Sequence, residues 1–208
     1  MSQTDPFPPA ADRAAQPAPG LAPPPDASRR DLRERLLQTA GFLFYQHGYR
    51  ATGIDRVLAE AGVAKATFYK HFPSKDVLIV AWLERVGATL QDAAPPADGP
   101  RPLTAWGESV IRRAARDWAM GCPFQVAAAE YSDPFHPVHA AAASVKKRLL
   151  ADLTGRARAE GLEPPEPAAE AVWLLIEGIL ASVRLFGPRA PLAHAPAALR
   201  RLTGAGER

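Results

Sequence analysis

Lys65, Ala66, Thr67, Tyr69, His71 and Lys75 stand within one short stretch of the chain. They combine ammonium, hydroxyl and imidazole groups, the donors that meet phosphate oxygens and base edges in a DNA groove. Their chemistry would be recognition rather than bond-making, and it requires a helix whose first residues face outward. The segment "GIDRVLAEAGVAKATFYKHF", residues 53–72, supplies the pattern for such a helix. Thr52 is placed to cap a first helix, with Asp55 closing a reciprocal capping box. Val57, Leu58 and Ala61 give that helix an apolar face. Gly62 stops it, since a residue without a Cβ takes the left-handed conformation at least cost. Val63 plugs the angle between helices, and Lys65, Ala66 and Thr67 open the second helix. Two readings fit this hairpin alone: a DNA-reading helix-turn-helix, or an ordinary αα-hairpin with a glycine turn.

The flanking residues favour the first. Phe68 and Phe72 suit a small core beneath the hairpin, while Tyr69 and His71 present polar tips near its end. Pro73 ends the second helix. Ser74 caps another, with Lys75 in its first turn. A lysine there opposes the helix macrodipole, unless the same N-terminus holds a phosphate. Upstream, Ser28 and Asp31 form a capping box before an amphipathic helix carrying Leu32, Leu36, Leu37, Ala40, Leu43 and Phe44, which Gly48 ends. Between residues 28 and 76, nine Lys or Arg face five Asp or Glu, a net of +4, whereas the whole chain is +3. The positive charge is therefore concentrated on the hairpin module, as binding by counterion release requires.

The segment from Leu32 to Leu83 resembles the DNA-binding domain of the tetracycline-repressor (TetR) family of bacterial one-component regulators. The residues that carry the resemblance are "AGFLFYQHGYRAT", "AEAGVAKATFYKHFPSKDVL" and the long helix that follows directly. The match covers about a quarter of the chain and is specific in order and spacing. The resemblance implies that Thr52 and Gly53 meet phosphate at the start of the second helix. It implies that Lys65, Ala66 and Thr67 approach bases, and that Tyr69, His71 and Lys75 grip the backbone. Lys70 departs from the usual family pattern and its role stays open. The family further implies a cytoplasmic homodimer on a palindromic double-stranded DNA operator, answering to a small-molecule effector, with no cofactor.

Composition agrees with a helical regulator. The chain has 208 residues, 47% of them hydrophobic, and a single cysteine, Cys122. That excludes an intrachain disulfide framework and suits a reducing compartment. No apolar run approaches the roughly 20 residues that would span a bilayer. The first 27 residues carry eight prolines and few charges, with neither the basic start nor the apolar stretch of a secretory signal. They read as a disordered arm, leaving Arg29 and Arg30 as its better candidates for an added DNA contact. No strand alternation and no internal repeat appear, so the predicted class is all-α. The expected divisions are an arm (1–27), a three-helix DNA-binding domain with a connecting fourth helix (28–91), a linker (92–102) and a larger helical effector-binding and dimerisation domain (103–208).

In the second domain the candidate pocket residues are Trp106, Trp118, Phe124, Tyr131, Trp173 and Glu177. Aromatic residues at helical spacing equally serve as core. Glu130, His136 and His139 are further polar groups; the last two form a His-x-x-His pair lacking a recognisable third metal ligand. An acid such as Glu177 on an apolar helix must pair, bind a cation or face water. Arg184 offers it a partner across a dimer. Cys122 lacks a neighbouring Lys, Arg or His in sequence, which points to a buried structural thiol over a redox or electrophile sensor.

The helix Ala168–Phe186 is apolar on more than one face, with Val172, Leu175, Ile176, Ile179, Leu180 and Val183 in one stripe and Trp173, Leu174 and Leu185 outside it. Gly178, Ala181 and Ser182 would admit another helix closely. A dimer interface through this helix and the C-terminal helix, about Ala197–Leu202, is expected. No nucleophile elbow, phosphate loop, cysteine pair or metal-binding helix motif is present to suggest an enzyme. The competing class is a helical DNA-binding adaptor or architectural protein without an effector.

Overall fold

The computed structural model describes residues 29–116 and 121–205. The 1–27 arm, the Ser28 cap and Trp118 lie outside them. Nine α-helices are present among the described residues: α1 (Arg29–His47), α2 (Ile54–Ala61), α3 (Lys65–His71), α4 (Lys75–Asp92), α5 (Pro102–Arg116), α6 (Pro123–Glu130), α7 (Pro137–Ala159), α8 (Pro165–Phe186) and α9 (Ala195–Leu202). The all-α class follows from the sequence's repeated 3.6-residue periodicity. None of the described helices is long and apolar enough to cross a membrane.

Helices α1, α2 and α3 fold around Leu36, Leu37, Leu43, Phe44, Val57, Leu58, Phe68 and Phe72, all buried. Gly62 ends α2 at φ 64°, ψ 39°, and buried Val63 fills the corner. Ser74 caps α4, its hydroxyl oxygen accepting the Val77 N–H at 3.2 Å. At the α1–α4 crossing Trp82 lies directly on Gly41, where a Cβ would stand 1.8 Å from the indole Nε1. Any larger residue at 41 would push the two helices apart.

Helix α4 continues from the α1–α3 unit to pack along α7, and α7 packs along α8. α5 and α9 cover the other side of α8. One continuous apolar core runs through all of these helices. The observed α8 begins at Pro165, earlier than expected, because proline is well suited to a helix's first turn. The observed α9 starts at Ala195, with Pro196 similarly placed in its first turn.

Candidate nucleic-acid interface and effector cleft

Helix α3 is anchored from below and open above. Phe68 and Phe72 are fully buried, whereas Lys65, Ala66, Tyr69 and Lys70 are exposed and Thr67 and His71 half-buried. The Tyr69 ring stands edge-on to Phe68, with centroids 5.2 Å apart. The Lys65 ammonium is 3.4 Å from Asp55 Oδ1. Both groups are well exposed, and such a pair contributes little to stability and exchanges readily for another anion.

The start of α2 differs from the expectation. Gly53, not Thr52, is the N-cap, and no side chain caps the helix. Thr52 is fully buried. Its hydroxyl donates toward Gly48 O at 2.8 Å and Leu43 O at 3.2 Å. Those carbonyls lie at the end of α1 and in the following turn, so the side chain ties the turn together and faces neither Asp55 nor solvent. The capping box is thereby corrected, and the Thr52 side chain lies in the core. Exposed Gly53 and the uncapped N–H groups behind it remain at the surface, and α3 likewise starts without a side-chain cap.

Lys75 is half-buried, its ammonium donating to Arg50 O at 3.1 Å. Burial lowers its pKa from the ordinary lysine value. It lies at the head of α4, beside the turn between α1 and α2.

That turn is also held from the opposite side. Glu130, the last residue of α6, accepts the Tyr49 N–H at 3.2 Å and the Arg50 N–H at 2.6 Å. The Arg50 Nε–H donates to Glu130 O at 2.6 Å, and the guanidinium lies 4.9 Å from the Tyr131 ring centroid. Gly48, at φ 88°, allows this approach: a Cβ there would fall 2.7 Å from Glu130 Oε1. Tyr49 OH donates to Pro123 O at 3.0 Å, and burial holds this phenol well above its usual pKa. Tyr45 OH donates to Gly121 O at 3.1 Å. His136 Nε2 is 3.6 Å from Asp76 Oδ2, forming a further bridge between α4 and the start of α7.

Trp106, Phe124, Trp173 and Glu177 meet at one cleft, which Leu180 and Cys122 also border. The cleft is open at its mouth and has a cavity of about 40 Å³. At its polar end Glu177 pairs with Lys146 and accepts the Gln125 Nε2–H at 3.0 Å. Glu177 thus has an intrachain partner on α7, Lys146. The Lys146 ammonium is 4.6 Å from the Trp173 ring centroid and 5.7 Å from that of Phe124.

Tyr131 does not border the cleft. Its ring lies against His136, centroids 4.5 Å apart, at the seam with α4 and the 48–50 turn. His136 and His139 do not form a pair of ligands: His136 caps α7 by accepting the Val138 N–H at 3.3 Å, and His139 Nδ1 lies 2.7 Å from Tyr131 O. Among the described residues no group of three His, Cys, Asp or Glu could hold a metal ion. Cys122 is buried at the head of α6. Burial raises its thiol pKa, with the charge of Lys146 partly opposing that.

Lys146 and the clamp role of Glu130 were both missed by sequence reasoning. Each depends on contacts between separate helices, 31 and about 80 residues apart in the chain, and no local pattern signals them.

A solvent-facing second helix in a basic helix-turn-helix, joined to an α-helical body with a cleft, defines a DNA-binding regulator. Residues 36–82 match the model of the bacterial regulatory proteins of the tetR family. The fold is shared with a protein from Streptomyces avermitilis described as a TetR transcriptional regulator, at 32% identity and TM-score 0.72, covering 85% of this chain and 98% of that one. A TetR-family transcriptional regulator from Streptomyces coelicolor gives 31% identity and TM-score 0.70, covering 85% and 96%. The HTH-type transcriptional repressor NemR of Escherichia coli is 41% identical over 58 residues, 28% of this chain and 29% of NemR. The chain likewise spans only 19–26% of the length of the first curated relatives it matches. This chain belongs to the TetR family of bacterial transcriptional regulators.

Proposed function

We propose that the protein is a homodimeric repressor whose two reading units occupy a palindromic operator and which a small molecule in the cleft releases. Residues 28–91 form the reading unit and its connecting helix, 92–102 the link, and 103–208 the effector-binding and dimerisation unit. The observation that carries the DNA reading is the outward face of α3, with Lys65, Ala66 and Tyr69 exposed above the buried Phe68 and Phe72. Lys65, Ala66 and Thr67 approach bases. Gly53, Tyr69, His71 and Lys75 serve the backbone, Lys75 by exchanging its contact with Arg50 O for a phosphate.

Dimerisation is supported by an uncovered apolar stripe. Leu174, Gly178, Ala181 and Leu185 recur at helical spacing on the open side of α8, and the two leucines are 69% and 71% exposed. Small residues between two leucines suit close packing against the same helix of a second copy. That pairing is isologous and matches the two-fold symmetry of a palindrome.

Helix α6 supplies the coupling. Its first turn, at Cys122 and Phe124, borders the cleft, and its last residue grips the turn before α2. Eight helical residues span only about 12 Å, so a displacement at Phe124 is delivered to Tyr49 and Arg50. Effector and DNA are then antagonists, each weakening the other by the same factor. Selection of bound duplexes from a random pool tests the function. It is expected to return an inverted repeat carrying two protomers; recovery without sequence preference would support the architectural alternative.

A further inference from the structure

The polar end of the cleft is built around a positive charge, and the protein itself supplies that charge. The Lys146 ammonium faces the Trp173 ring at 4.6 Å and the Phe124 ring at 5.7 Å, and it pairs with the Glu177 carboxylate. Glu177 is in turn oriented by the Gln125 amide, which donates to Glu177 Oε2 at 3.0 Å and to Glu177 O at 3.3 Å. Two aromatic faces with their negative quadrupoles, plus a carboxylate held in place, make the arrangement that recognises an ammonium. An anion in this position would lie against both ring faces and beside Glu177. Arg113, which also borders the cleft, is held in an interaction of its own.

Lys146 is not locked in by its position. Its side chain keeps 17% exposure, and Glu177 keeps 21%, so the ammonium has a route to water along its flexible stem. With Lys146 seated, the cavity is only about 40 Å³. A ligand that touches Trp173, Phe124 and Glu177 must therefore displace the lysine head from them. We infer that the cleft takes a compact organic cation, a protonated amine or quaternary ammonium on an aromatic or apolar frame, which replaces the Lys146 ammonium against Trp173, Phe124 and Glu177. This rests on the effector-cleft reading above. The lysine acts as a resident competitor: it keeps Glu177 paired in the empty protein and leaves for solvent when the ligand enters.

The test is isothermal titration of the full chain with benzyltrimethylammonium, benzyl alcohol and benzoate, three probes that share a ring and differ in charge. The wild-type protein is expected to bind the cation about tenfold or more tighter than the other two. Lys146→Met, which removes the competitor, should tighten the cation by about a further tenfold, and Glu177→Gln should weaken it by at least as much. Preference for benzoate, or binding of none of the probes by wild type, would overturn the assignment. The wild-type charge preference decides the matter even where a variant fails to fold. Operator binding is followed in parallel. Cation binding that leaves the DNA complex intact keeps this site and removes the effector reading; release of DNA by a compound of another charge, with no cation bound, removes this site and keeps that reading.

Discussion

The Glu130 carboxylate accepts the backbone N–H groups of both Tyr49 and Arg50, at 3.2 and 2.6 Å. One side chain at the end of α6 thereby fixes the turn that leads into the helix-turn-helix, and it does so from the helix whose other end borders the cleft. Glu130→Gln keeps the shape but replaces one acceptor oxygen with a donor. The variant is expected to lose about 1–2 kcal/mol of stability and to bind operator DNA nearly as wild type does, with a weaker response to ligand. Urea denaturation and anisotropy titrations with and without ligand check this. Full retention of the ligand response would remove Glu130 from the coupling.

Thr52→Val separates a structural hydroxyl from a DNA-contacting one. The substitution keeps the volume and leaves Leu43 O and Gly48 O without this donor. The expected cost is about 1–3 kcal/mol in stability, with the slope of log K against log salt unchanged. A reduced slope in a protein of undiminished stability would return Thr52 to the phosphate contacts.

Lys65→Ala should behave in the opposite way. Its side chain is exposed and pairs with an exposed Asp55, so unfolding free energy should change by no more than about 0.5 kcal/mol. DNA affinity should fall, with base preference altered at the position Lys65 faces. Binding to a panel of operator variants distinguishes this from a uniform loss, which would make Lys65 a backbone contact.

Gly178→Leu probes the open stripe of α8. A Cβ at 178 meets nothing within 4 Å inside the subunit, so the monomer should fold normally. Sedimentation velocity should show a shift from dimer to monomer, since the added side chain holds two α8 helices apart. An unchanged dimer would place the interface elsewhere.

Cys122 carries a pH prediction. Burial raises its thiol pKa in the folded chain, so the folded state binds this proton more tightly than the unfolded state does. The stabilisation is complete below the unfolded thiol value of about 8.5 and is lost as pH rises from there through the higher folded value. Iodoacetamide should therefore modify the native protein at least ~tenfold more slowly than an unfolded control at pH 7.5. Rapid native alkylation would show an accessible thiolate and a sensing role for Cys122.

The helices were legible because their signals are local. Gly62, Pro73 and Ser74 mark boundaries whatever surrounds them, and the apolar spacing around Phe68 and Phe72 names the buried side of α3. Thr52 was misread because a threonine before a helix has two uses, capping forward or bonding backward. The choice depends on where the preceding turn places Gly48 O. Trp106, Phe124, Trp173 and Glu177 were recognisable as candidates by type, but Tyr131 is of the same type and sits at the seam instead. In the sequence Lys146 is one of three consecutive cations, with Lys147 and Arg148. Only the packing of α7 on α8 brings it to Glu177.

The most direct test of the account is fluorescence anisotropy of the purified protein on a duplex from upstream of its own gene, across a salt series, with random duplex as competitor. The account predicts tight, competitor-resistant binding of two protomers per palindrome, with log K falling linearly in log salt. Weak binding that disappears with salt on every duplex alike would contradict it.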